Sequence, residues 1–388
     1  MAIDKITTAA ITDGTIVTAD IADANVTAAK LASGTVQNQS AFKNIIINGD
    51  MSQAQRATST ASISSNGYHT VDRWQTNLST AGGVWTQSQD TTVPSGQGFA
   101  KSLKMDCTTA DGSLAAGDRC IIQQAIEGQN LQYLKKGTSS AESVTVSFWV
   151  YATKTGTNIV ELYDNDNTRQ ISKSYTINTT NTWEQKELTF AGDTTGAFGN
   201  DNAASLYLNF YLCAGSTYSS GTLNTSWASN TNANRAVGQV NHADSTSNNF
   251  YITGIQLESG TSKSDFEFLP NDVNLLRCER YFQWINRYQY QGYTVGFRAN
   301  AGQGGVFYKV PLRSTGTFTL KAMNVHNHSN GANLTVTSLG RLAGSGGLVS
   351  DCIVAYTSGS ATNADTGICF GSDGSSPNVG GVQIDAEL

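Results

Sequence analysis

An apolar residue stands at every fifth position through the first 36 residues: Ile6, Ile11, Ile16, Ile21, Val26, Leu31 and Val36. The residue two places before each is small (Ala9, Gly14, Ala19, Ala24, Ala29, Gly34), except for Asp4 in the first unit. A helix repeats at 3.6 residues and a simple strand at 2, so neither holds a five-residue register. The period predicts a tightly wound β-coil or an intertwined β-fibre, with each large side chain directed to the axis. Such a stretch is too thin to bury a core alone and requires stacking or partner chains. The competing reading is a Thr/Ala-rich disordered leader.

Residues 37–43 break the repeat, and from Asn44 the period changes to two. The run NIIINGD (44–50) predicts a strand ending in an Asn48-Gly49 turn. In SVTVSFWVYA (143–152), Val144, Val146, Phe148 and Val150 alternate with Thr145, Ser147, Trp149 and Tyr151. NIVELYD (158–164) follows after Lys154-Thr-Gly-Thr, a spacing that predicts a hairpin. Segments 182–190, 204–215 and 248–260 alternate in the same way. Many antiparallel strands with long polar loops predict a two-sheet sandwich or jelly roll over 44–270. Residues 213–247 form the longest polar stretch, of a length that is usually functional or mobile. Pro270 closes this region, 271–280 reads as a short helix capped by Asn271 or Asp272, and β pattern then resumes to residue 388. The expectation is an all-β chain with three parts: a pentad-repeat β-fibre segment (1–43), a central antiparallel jelly-roll sandwich (44–270) and a small C-terminal β-sandwich (271–388).

Composition narrows the function classes. Charged residues make up 14% of the chain, against about 25% in typical soluble domains. The net charge of −6 argues against a nucleic-acid partner, which needs clustered Lys and Arg. No apolar run approaches the ~18 residues that span a membrane, and MAIDKITTAA lacks the basic and apolar regions of a signal peptide. The six cysteines form no C-x-x-C pair and read as free thiols of a protein made in a reducing cytoplasm.

No G-x-S-x-G elbow, H-E-x-x-H helix or G-x-x-x-x-G-K-[ST] loop is present. Asp164 and Asp166 are the candidate pair for glycan hydrolysis, set against the simpler role of a solvated hairpin loop. Asp50, Asp72 and Asp265 are candidates for a structural Ca²⁺, set against turn capping; no other cofactor is expected. Sugars stack their C–H faces on flat aromatics and pair their hydroxyls with Asn, Asp, Gln and Arg. The candidates for such contacts are Tyr218, Trp227 and Arg235 in the long polar stretch and Arg287, Tyr288 and Tyr290 in WINRYQYQGY (284–293). A trimer seam is the alternative for the second group. Trp74, Trp149 and Trp183 read as packing residues.

NIIINGDMSQAQRATS (44–59), VDRWQ (71–75), VSFWVYATKTGT (146–157), WEQKELTFAGDTTGAF (183–198), SLYLNFYLCAG (205–215), FYITGIQLESG (250–260) and DFEFLPNDVNLLRCERYFQ (265–283) resemble, in order and spacing, a family of bacteriophage tail-fibre and receptor-binding proteins of marine and cyanobacterial phages. The leader ITDGTIVTADIADANVTAAKLA also looks like that of such fibres; residues 284–388 carry no comparable likeness. The resemblance implies a jelly roll similar to carbohydrate-binding modules and a homotrimeric virion fibre, and the lack of a catalytic motif makes the expectation a protein without enzymatic activity. It implies attachment to phage tail or capsid proteins through the pentads and adhesion to host surface polysaccharide through the rest. The alternatives are a glycan-hydrolysing tailspike and a head fibre or decoration protein.

Overall fold

The computed structural model describes residues 42–80, 82–285, 293–298, 301–321, 324–327, 333–341, 350–358, 366–370 and 382–388. The chain divides after Phe42, and everything below belongs to the unit Lys43–Leu388. The pentads, with Ile6, Ile11, Ile16, Ile21, Val26 and Leu31, lie outside the described residues, as do Arg287, Tyr288 and Tyr290.

Thirteen strands build the central body: β1 (Ser59–Ile63), β2 (Gly67–Tyr68), β3 (Gln75–Ser79), β4 (Val84–Asp90), β5 (Ser102–Thr109), β6 (Arg119–Glu127), β7 (Val144–Ala152), β8 (Gly156–Asp164), β9 (Arg169–Ile177), β10 (Glu184–Phe190), β11 (Ala204–Ala214), β12 (Ala228–Ser229) and β13 (Asn249–Ser259). They form a six-stranded sheet in the order β1-β4-β5-β13-β7-β10 and a seven-stranded sheet in the order β12-β9-β8-β11-β6-β3-β2. The two pack as the jelly-roll sandwich that the alternation predicted. One face of each strand supplies the core. Val144, Val146, Phe148 and Val150 of β7 join Leu206, Leu208, Phe210 and Leu212 of β11, together with Trp85, Met105, Ile122 and Phe250. Phe148 sits edge-on to both Tyr175 and Phe210, at 5.0 Å between centroids in each case, the geometry that aromatic quadrupoles favour.

Two local expectations are corrected. The 144–152 and 156–164 strands are not a hairpin. β7 pairs with β10 and β13 in one sheet, whereas β8 pairs with β9 and β11 in the other. The intervening residues therefore cross between the layers, and Gly156 makes the turn at φ +126°, a region side chains disfavour. The NIIINGD run is not a ladder strand either. Its backbone is bonded piecemeal: Ile45 N to Leu257 O, Ile46 N to Asn44 Oδ1 and Ile47 N to Gln124 Oε1. All three isoleucines are buried, so the apolar run seals the end of the sandwich without joining a sheet.

After the sandwich, helix α2 (Asn271–Glu279) forms as expected, following the short α1 (Ser216–Ser219). Its cap differs from expectation: Pro270 holds the N-cap with no side-chain bond, and Asn271 Oδ1 instead accepts Gln53 Nε2 at 2.8 Å. Strands β14 (Phe282–Ile285), β15 (Tyr293–Arg298), β16 (Ala301–Phe307), β17 (Thr317–Leu320), β18 (Asn324–Asn327), β19 (Asn333–Arg341), β20 (Ser350–Ser358), β21 (Thr366–Phe370) and β22 (Val382–Asp385) follow. β14, β22 and β17 make a three-stranded sheet, and β15-β16-β20-β19-β18-β21 close into a barrel. The small sandwich expected here thus takes the form of a closed barrel, which leaves its strands no open edge.

The last residues are fastened to the sandwich by charge. Arg73, buried in the body, pairs with Glu387, and Arg56 pairs with Asp385 at 2.9 Å. Tyr281 and Phe282 lie under these two guanidiniums, at 3.4 and 3.8 Å from ring centroid to Cζ. Arg280 adds a two-pronged contact to Glu127 at 2.9 and 2.8 Å.

Candidate functional site

The face of the seven-stranded sheet turned away from the core carries a cleft of about 400 Å³. Antiparallel register sets its floor. Gln75 of β3 lies opposite Gln123 of β6, Gln123 opposite Asn209 of β11, and Asn209 opposite Glu161 of β8. Four polar side chains therefore run in one row across four strands. Next to it, Tyr207 faces Tyr163, their rings 6.3 Å apart. Asn77 and Arg119 extend the floor on the other side, and Asn66, Asn165 and Arg235 stand at the rim.

The row is tightly bonded within itself. Gln123 donates to Gln75 Oε1 at 2.7 Å and accepts from Asn77 Nδ2 at 3.0 Å. Glu161 is fully buried, a costly place for a carboxylate unless it is paired. It receives Arg235 Nε and Nη2 at 2.7 and 2.8 Å, Asn209 Nδ2 at 2.8 Å and the Tyr211 hydroxyl at 3.1 Å. Burial works to lower the Arg235 pKa, but the Glu161 charge outweighs it and holds the guanidinium above its ordinary value. Burial, then Glu161, pushes the Tyr211 phenol well up.

Because Glu161 can only accept, the Asn209 amide must turn its NH₂ toward it. This leaves Asn209 Oδ1 with no partner, on a residue that lines the cleft and is only 3% exposed. Arg119 Nε is likewise screened and unpartnered. Buried polar atoms are rarely left so; here two of them line the same cleft.

The predicted residues fare differently. Arg235 is brought to the cleft, but as the fixed partner of Glu161 and with its guanidinium 4.9 Å from the Tyr163 ring centroid. Tyr218 is not an open stacking platform. It lies on α1, is 9% exposed and packs with Ile121, Ile159, Tyr211 and Ala236 beneath the Arg119 guanidinium, 4.9 Å away. Trp227 is turned inward against the core, donates Nε1 to Ala191 O at 2.8 Å and lies under Lys136. The indole and the phenol are too apolar to remain on a solvated loop while an uncovered core edge is in reach.

Asp164 is fully buried against Lys136 Nζ at 2.5 Å, and Asp166 accepts Gly199 N at 2.8 Å. Asp50 Oδ1 accepts from Ser52 and from Asn274 Nδ2 at 3.1 Å, and Lys43 Nζ donates to the Asp265 carbonyl at 2.9 Å. Asp50 is thus surrounded by donors to it, which fits a turn cap better than an oxygen cage for calcium. Among the described residues no three His, Cys, Asp or Glu converge as for a metal ion. Asp72 accepts Gln55 N and Nε2, and burial raises its carboxyl to about 6.

Residues missed from sequence include Gln75, Asn77, Arg119, Gln123 and Tyr163. The signal that existed was the second face of 204–215, where Tyr207, Asn209 and Tyr211 alternate with leucines. A different aromatic group, Tyr151, Trp183 and Tyr251, lies on the outer face of the six-stranded sheet with centroids 5.0–6.4 Å apart.

No protein-family model matches the chain, and no curated protein matches it in sequence. Several solved structures are remotely similar. One is the enzymatically active domain of tailspike protein 4 of bacteriophage CBA120, 14% identical with a TM-score of 0.29; the match covers 56% of this chain and 22% of that one. Another is TmCBM61 in complex with β-1,4-galactotriose, 10% identical with a TM-score of 0.29, covering 56% of this chain and 99% of that one. A third is the family 11 carbohydrate-binding module from Clostridium thermocellum in complex with a β-1,3-1,4-mixed-linked tetrasaccharide, 12% identical with a TM-score of 0.24, covering 53% and 99%.

Proposed function

We propose that this chain is a non-enzymatic adhesin whose saccharide site is the cleft on the seven-stranded sheet. The observation that carries the reading is the floor of that cleft. A sugar needs flat apolar surface for its C–H faces and fixed polar groups for its hydroxyls. Tyr163 and Tyr207 offer the first. The amides offer the second: Gln75, Asn77 and Gln123 are bonded to one another, and Asn209 is held by Glu161 with its oxygen left without a partner. Glu161, the carboxylate of the row, is buried and paired with Arg235, and no other Asp or Glu lines the cleft among the described residues, which supports holding a glycan over cleaving it, since hydrolysis uses two carboxylates flanking the bond.

The wider setting we propose is a bacteriophage fibre. Three copies join through the five-residue repeats, the N-terminus attaches to the virion, and the β-rich remainder faces the host. The repeat and the likeness of residues 44–283 to phage fibres support this setting. Three linked clefts multiply a weak single-site affinity by effective concentration.

The test is electrophoresis of the full chain through gels holding host surface polysaccharide, with reducing ends assayed in parallel. Retardation without new reducing ends is the expected result. New reducing ends would replace this reading with that of a tailspike hydrolase.

A further inference from the structure

The cleft holds two guanidiniums, and only one of them is neutralised. Arg235 lies with Nε and Nη2 on the two oxygens of Glu161. Arg119 makes no ion pair among the described residues; it donates Nη2 to Asn77 Oδ1 at 3.2 Å and lies over the Tyr218 ring. The neighbouring carboxylate, Asp118, turns away to the Thr80 hydroxyl at 2.6 Å and the Ala115 amide at 2.7 Å. Arg119 Nε is screened from solvent with no acceptor. A chain of net charge −6 thus lines this cleft with a guanidinium that no carboxylate pairs with among the described residues.

A planar guanidinium carries its N–H groups in a fork that matches two oxygens of a carboxylate or a sulfate. Building on the reading of the cleft as a saccharide site, we infer that it selects an acidic oligosaccharide, with the anionic group of one sugar held by Arg119. Arg119 Nη2 reaches Asn77 Oδ1 at 3.2 Å, and Asn77 Nδ2 in turn reaches Gln123 Oε1 at 3.0 Å, so the guanidinium stands at the Asn77 end of the amide row, with Gln123 level with Asn209. Tyr218 acts through Arg119: it carries the stem and face of the guanidinium, which explains why an aromatic from the polar loop is buried there.

The experiment passes the full chain through gels containing a panel of uronate-bearing and sulfated polysaccharides, each beside its carboxyl-reduced or desulfated twin. Wild type is compared with Arg119→Gln, Arg119→Lys and Asn209→Ala, all checked for an unchanged melting temperature. Acidic glycans are expected to retard wild type more than their twins. Arg119→Gln is expected to weaken that binding roughly tenfold to a hundredfold, the usual cost of a charge-assisted bond, and Arg119→Lys to restore part of it. Carboxylate and sulfate arms identify which anion is read. Equal retardation by the neutral twins, unchanged in Arg119→Gln but lost in Asn209→Ala, would overturn the acidic preference and leave the saccharide cleft standing. Retardation by no glycan of the panel would overturn both.

Discussion

At the residue scale, two buried titratable groups oppose one another in acid. Burial, with Lys154 nearby, holds the His242 imidazole down at about 3 from 6.5; it is fully buried, bonded through Nε2 to Asn158 Oδ1 at 2.7 Å. Between those values the unfolded chain binds a proton that the folded one does not. Stability from this group is present above pH 6.5 and is lost as pH falls toward 3, by up to about 1.4 kcal/mol per pH unit. Asp72 runs the other way, since burial lifts its folded carboxyl from 3.8 to about 6. There the folded chain binds the extra proton, so stability from Asp72 is present below pH 3.8 and declines as pH rises through 6. Urea midpoints followed from pH 4 to 7 should therefore fall less steeply toward acid in His242→Asn than in wild type, and more steeply in Asp72→Asn. Parallel curves for all three proteins would contradict these assignments. The sequence offered Asp72 as a calcium candidate and gave His242 no role; neither titration was legible there, because it depends on which apolar layer covers the group. The same limit applied to Tyr218 and Trp227: composition marked both as ligand candidates, and only the fold shows that one underpins Arg119 and the other seals the core.

At the element scale, alternation alone located five of the thirteen strands of the sandwich. Segments 143–152, 158–164, 182–190, 204–215 and 248–260 each contain an observed strand, because a half-buried strand must alternate. Which strands pair was not legible. The link at 153–155 has the length of a hairpin, yet the two strands enter different sheets, and Gly156 sets the crossing at φ +126° with Val240 packed against it. Gly156→Ala should lower stability by about 1–3 kcal/mol in a denaturant titration; an unchanged midpoint would show that the crossing tolerates a side chain. Phe148→Ala removes the ring wedged between Tyr175 and Phe210 and should cost about 3–5 kcal/mol by the same measurement. The cleft escaped the sequence for a related reason. Its floor takes one to three residues from each of β3, β6, β8 and β11, which are neighbours only through the crossover topology.

At the scale of the whole molecule, the proposed fibre reading gives the leader and the β-rich body separate tasks. The seven apolar residues stand in strict five-residue register, a repeat that as a sequence is too thin to bury a core alone, and the fibre reading assigns them to association between copies. Ile16→Asp with Ile21→Asp should convert a trimer into monomers in analytical ultracentrifugation while leaving the melting transition of the sandwich in place. A trimer that survives both changes would remove the leader from assembly. The central claim is that the seven-stranded sheet holds a glycan through its outer face. The most direct measurement is the retardation of full-length protein in gels of host surface polysaccharide, comparing wild type with Tyr163→Ala/Tyr207→Ala and with Trp183→Ala on the opposite sheet. The account predicts that the tyrosine variant migrates freely while wild type and Trp183→Ala are held back. Unchanged retardation of the tyrosine variant, or free migration of Trp183→Ala alone, would contradict it.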